Sequence, residues 1–271
     1  MGTSAGTGGT ALPTLNVAAL PLVLAGPIVR RVDRNTVTVW LALKAPRKVT
    51  LDVYEGATGA LPTTPALTGT RVTARIGENL HVVAVTATVP SGGALKSGTI
   101  HRYSCRFGED LSAPTTPAPA AAPDLFGPTI VAANRDAARD ALLYIGTSGA
   151  PDMPSFVTPP DRPAGLRLFH ASCRKPHAEG TDALSILDEV LAADAGSAER
   201  RPQQLILTGN QIYADDVADG LLHMCTVYGK ALLGRDESFA TIAPGHTEFF
   251  GLRNKPEYTE AHKTLMAYVA E

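Results

Sequence analysis

Thr36-Val-Thr-Val-Trp-Leu-Ala-Leu43 alternates side chains with period two and is rich in β-branched residues, so it reads as a half-buried strand. The same pattern recurs outward from it. Lys48-Val-Thr-Leu-Asp-Val-Tyr54 follows the Ala45-Pro-Arg turn, and His81 to Val89 and Thr99 to Phe107 continue the series. Short strands separated by Gly, Pro and Ser punctuation predict an antiparallel β-sandwich of the immunoglobulin or fibronectin kind. Trp40, the single tryptophan, falls mid-strand and is predicted to anchor the core. Leu111 to Pro123, rich in Pro, Ala and Thr, reads as an extended surface excursion, and Ala137 to Ile145 as one more element that could rejoin the sandwich.

The totals narrow the functional classes. In 271 residues, 44% are hydrophobic and 18% charged, which fits a globular chain rather than a disordered one. The net charge is -2 and no Lys/Arg cluster exceeds a doublet, which argues against nucleic acid or an anionic membrane as the main partner. Ala18 to Ala25 is the longest early apolar run and Pro21 interrupts it, so no membrane span is expected. No positive residue precedes that run, which makes a poor secretory signal. Cys105, Cys173 and Cys225 are widely spaced and odd in number, so no disulfide framework is implied and buried thiols are the default. Both features lean toward a cytoplasmic location.

Organisation follows from composition: a flexible tail over 1–15, the sandwich over 16–150, a Pro-rich linker over 151–165 and a second region over 166–271. In that second region the pattern changes class. Leu166-Arg-Leu-Phe-His170 is a short strand, Asp182 to Ala192 carries leucines at helical spacing, and Leu205-Ile-Leu207 has the apolar character of a strand buried in a parallel sheet. Strand, helix, strand is a βαβ unit, which makes the strands parallel neighbours with their carboxyl ends on one edge. Further helices are predicted around Asp216 to Leu233 and Tyr258 to Glu271.

That edge gathers chemistry, because ligands of open α/β sheets bind beyond the strands' carboxyl ends. The first loop carries Cys173, Arg174, Lys175 and His177, and the second carries Asn210, Tyr213, Asp215 and Asp216. Each has a plainer role. Asp215 and Asp216 stand where a helix begins and would favour its positive end. Arg174 and Lys175 could be a solvated pair, Tyr213 could simply pack, and His177 could be an ordinary surface residue. No Gly-Lys-Ser/Thr phosphate loop occurs.

Three stretches carry a resemblance: His170-Ala-Ser-Cys-Arg-Lys-Pro-His177, Thr181-Asp-Ala-Leu184 and Arg201 to Val217, with its Thr-Gly-Asn-Gln-Ile-Tyr-Ala-Asp-Asp run. They resemble the PhoD-like phosphatases, the alkaline phosphatase D group of calcineurin-like metallophosphoesterases. Leu22 to Arg31 with Val37 to Leu41 is similar to the sandwich that precedes the catalytic domain in some members. The resemblance implies Cys173 and Tyr213 as metal ligands, and Asn210 at the position of a metal-bridging Asp. Asp215 and Asp216 are possible additional ligands, and Arg174 and His177 are candidates to meet the substrate phosphate. Iron and calcium are the implied metals, and the implied reaction is hydrolysis of a phosphate mono- or diester by metal-activated hydroxide.

Asn210 offers one neutral oxygen where a carboxylate would share two, and no Gly-Asn-His-type motif follows before Glu271. The α/β metallophosphoesterase domain is therefore expected to be incomplete, its first part only, and the chain inactive or weakly active. The alternative reading is a non-catalytic β-sandwich binding or interaction module carrying a vestigial phosphoesterase segment. Whether the chain is an enzyme stays open between the two.

Overall fold

The computed structural model describes residues 15–56, 64–108, 122–143, 153–175, 182–213 and 219–236. The expectations for the tail over 1–14, for most of the 111–123 excursion and for a helix over 258–271 lie outside those residues.

Among the described residues seven strands precede the first α-helix: β1 (Val23–Val32), β2 (Thr36–Leu43), β3 (Lys48–Glu55), β4 (Leu67–Val72), β5 (Ala74–Gly77), β6 (Leu80–Thr88) and β7 (Ile100–Gly108). An eighth, β8 (Ser155–Val157), returns to pair with β7. All pairings in this sheet are antiparallel, in the order β1-β2-β6-β4-β3-β7-β8, with β5 also on β6. The β4–β6 junction rests on one rung, Thr68 opposite Thr88, so the sheet folds over on itself into a nearly closed, sandwich-like form.

The predicted strand at 36–43 is β2 end to end, in unbroken register with β6 from Thr36–Thr88 to Leu43–His81. Alternation explains its burial. Val37, Val39, Leu41 and Leu43 lie in the core, facing Val49, Leu51, Val53, Val85, Tyr103 and Phe107 from other strands. Trp40, expected as a core anchor, lies at an even position between Ile28 and Ala84 and is only half-buried. β3 is buried along nearly its whole length, its polar side chains included. There Asp52 accepts from Thr68 Oγ1 at 2.8 Å and from Arg106 Nε at 2.8 Å, so its buried carboxylate is paired.

Two other stretches take a definite form. The element over 137–145 is a helix, α1 (Arg135–Leu142), capped by the Asn134 side chain accepting from Ala137 N–H at 3.0 Å, and it sets Ala138 into the core. The stretch read as a linker over 151–165 supplies β8, because Phe156 and Val157 bury against the sandwich despite their proline neighbours.

The rest is a βαβ unit: β9 (Leu168–Ser172), α2 (Leu184–Asp194) and β10 (Gln204–Thr208), followed by α3 (Asp219–Leu233). β9 and β10 pair in parallel, from Leu168–Gln204 to Ser172–Thr208. The burial predicted for Leu205 to Leu207 does not occur. They are 45%, 38% and 43% exposed, because among the described residues β10 pairs only with β9. Cys225 on α3 is likewise exposed, whereas Cys105 is buried. No described helix is long and apolar enough to cross a membrane.

Two ties join this unit to the sandwich. Arg201 is 8% exposed and donates to Ser155 of β8, through Nη1 to Oγ at 2.7 Å and through Nη2 to the carbonyl at 2.6 Å. At the other end, the β5–β6 turn caps α3. The N–H groups of Glu78 and Asn79 donate to the carbonyls of Leu233 and Leu232 at 3.0 and 2.8 Å, and Asn79 Nδ2 donates to Ala231 O at 3.0 Å. Gly77 permits this approach, since a β-carbon there would lie 2.5 Å from Leu233 Cα.

Candidate functional site

The carboxyl ends of β9 and β10 lie side by side because the strands pair in parallel over five residues. The ladder runs on past them. Cys173 N–H donates to Thr208 O at 3.0 Å and Arg174 N–H to Asn210 O at 2.8 Å, so the two loops leave the sheet already bound together. His170 and Thr208 tie the strands through side chains, at 2.9 Å between Nε2 and Oγ1.

Cys173 sits at the crossing with φ 57°, in the left-handed region that non-glycine residues avoid. Beside it Gly209, at φ 65°, has no β-carbon; one placed there would overlap the Cys173 sulfur. The Thr-Gly-Asn run therefore makes room for the thiol as well as turning the chain. Around the sulfur converge the Ser172 hydroxyl at 3.5 Å, the Asn210 N–H and the Tyr213 hydroxyl. These hydrogen bonds, Ser172's the largest, hold the exposed Cys173 thiol below the ordinary cysteine range by favouring its thiolate.

Arg174 turns away from the sulfur to Asp182, just ahead of α2. Its Nε and Nη2 both donate to Asp182 Oδ2, at 3.0 and 2.6 Å, while Asp182 Oδ1 accepts from Leu184 N–H at 3.1 Å. The pairing raises the Arg174 guanidinium and, with the Leu184 N–H, lowers the Asp182 carboxyl. Lys175 Nζ lies 5.7 Å from the Tyr213 ring centre, a cation–π distance. Ser172, Cys173, Arg174, Lys175, Asp182 and Gln211 line a cleft of about 190 Å³.

Of the residues singled out in the sequence, Cys173, Arg174, Asn210 and Tyr213 come together at this edge. His177, Asp215 and Asp216 lie outside the described residues. Sequence reasoning gave no role to Ser172, Asp182 or Gln211. Asp182 had a signal, an acidic residue just ahead of a leucine-patterned helix; Ser172 and Gln211 had none.

The donor chemistry suits one cation. A hydrogen-bonded thiol beside a phenol is a pair that iron accepts, and the Asn210 amide adds a neutral oxygen donor type. A bridged pair of cations does not fit equally well, since Asn210 brings no charge and it is its backbone that meets Cys173 and Arg174. Among the described residues no three His, Cys, Asp or Glu side chains cluster for a metal. No family model, curated protein or solved structure matches the chain.

Proposed function

We propose that the β9–β10 edge belongs to a metal-dependent phosphoesterase site of the PhoD-like kind. It would belong to an α/β metallophosphoesterase domain behind an immunoglobulin- or fibronectin-like sandwich. One observation carries the reading: two loops distant in sequence bring the Tyr213 hydroxyl to the Cys173 sulfur, beside a cleft that also holds Arg174 and Lys175. Cys173 and Tyr213 would hold the cation, with iron and calcium the metals implied. A cation there supplies Lewis-acid charge for hydrolysis of a phosphate mono- or diester. The hydrogen bonds from Ser172 and Asn210 lower the Cys173 thiol's pKa and so favour the thiolate that would ligate. Arg174 and Lys175 bring positive charge to the phosphate oxygens.

The second reading, a non-catalytic binding or interaction module with a vestigial phosphoesterase segment, is favoured by Asn210, which cannot bridge two cations as a carboxylate does. Asn210→Asp separates the two. On the first reading the variant binds more metal per chain than the parent and gains hydrolysis of an aryl phosphate ester. An Asn210→Asp chain that takes up no iron or calcium and hydrolyses nothing sinks the first reading and leaves the second.

A further inference from the structure

Resting on the phosphate-ester reading above, we propose that Asp182 is a built-in competitor for the substrate's oxyanion, occupying Arg174 until a phosphate takes its place. Arg174 spends two N–H groups on one oxygen of Asp182, the fork by which a guanidinium also grips a phosphate. Both residues line the same cleft as Ser172, Lys175 and Gln211, so an anion entering it meets the pair at its wall.

Two details make an exchange feasible. The Arg174 backbone is pinned separately, through its N–H to Asn210 O, so the guanidinium can swing without loosening the loop. Asp182 is held separately too, by Oδ1 on Leu184 N–H at the start of α2, so it stays in place when Arg174 leaves. The pair is solvent-accessible, with side chains 44% and 28% exposed, and exposed ion pairs are weak enough to be displaced. The competitor then favours dianionic phosphates over singly charged carboxylates, which would gain little by replacing one carboxylate with another.

The test is an NMR titration of the full chain with inorganic phosphate. Asp182→Asn removes the competing charge yet leaves an amide oxygen to accept from Leu184 N–H, and Asp182→Ser keeps a capping hydroxyl. Both variants should bind phosphate about threefold more tightly than the parent, the scale of an exposed ion pair. The gain should vanish when Arg174→Gln is added to Asp182→Asn. Equal or weaker binding by both Asp182 variants overturns the proposal while leaving the phosphate reading standing. A gain that persists with Arg174→Gln also overturns it, since general charge would then be the cause. Phosphate bound by none of the chains overturns the proposal and the phosphate reading together.

Discussion

β3 and β10 each carry three aliphatic residues, and the molecule treats them in opposite ways. Val49, Leu51 and Val53 of β3 are fully buried between β4 and β7, whereas Leu205, Ile206 and Leu207 of β10 stand more than a third exposed beside a single partner. Apolar content alone does not decide burial; the number of elements that close over a strand does. In the sandwich β2, β3, β4, β6 and β7 each have neighbours on both sides, and the buried core lies along them. The βαβ unit carries the candidate site side chains, with Cys173 and Gly209 both at positive φ beside them.

The sharpest way to break this contrast is truncation on each side of it. Leu51→Ala should cost about 2–5 kcal/mol in urea unfolding, the range for large-to-small changes in a closed core. Leu207→Ala should cost under about 1 kcal/mol, because its side chain already meets water. Equal costs would erase the distinction between the regions.

A middle-sized effect should come from the seam. Gly77→Ala puts a β-carbon against Leu233 Cα and should lift α3 off the β5–β6 turn, at a cost of roughly 1–3 kcal/mol. Hydrogen exchange should speed up at the α3 amides and at Glu78 and Asn79, while the amides of β2 and β3 stay protected. Loss of protection throughout the sandwich would show that the two regions unfold as one.

The smallest effect concerns pH. His101 is fully buried on β7 and stacked on Phe156 of β8 at 5.6 Å, and its Nδ1 lies 3.0 Å from Thr99 O while Nε2 has no hydrogen-bond partner among the described residues. Burial pushes its pKa below the ordinary histidine value of 6.5, against the pull of Thr99 O and Glu55. The unfolded chain therefore binds the proton more readily. The stabilising contribution is whole above pH 6.5 and is lost as pH falls from there toward the folded value. His101→Phe should flatten that part of the stability profile, whose slope from one proton is at most about 1.4 kcal/mol per pH unit. An unchanged profile would assign the acid sensitivity elsewhere, His81 being the other buried histidine lowered by burial.

What could be read from residues follows the same divide. Strict alternation made Thr36–Leu43 legible to the residue, and Lys48–Tyr54 nearly so. β4 and β5 were invisible, since Leu67-Thr-Gly-Thr-Arg-Val72 has no clean apolar face and takes its shape from β3 and β6. β8 was hidden by its prolines, and α1 by an apolar pattern too short to separate helix from strand. At the site, strand–helix–strand order was enough to bring the two loops together. The Arg174–Asp182 pair, and the room that Gly209 leaves for the Cys173 sulfur, depend on loop geometry that residue order does not encode.

On the proposed reading, Cys173 and Tyr213 would hold one cation at the edge of β9 and β10. Titrating iron(III) into the full chain while following thiolate- and phenolate-to-iron charge-transfer absorption tests it most directly. A band should appear, saturate near one iron per chain and be lost in both Cys173→Ser and Tyr213→Phe. A parent chain without such a band, or a band that survives both substitutions, would contradict it.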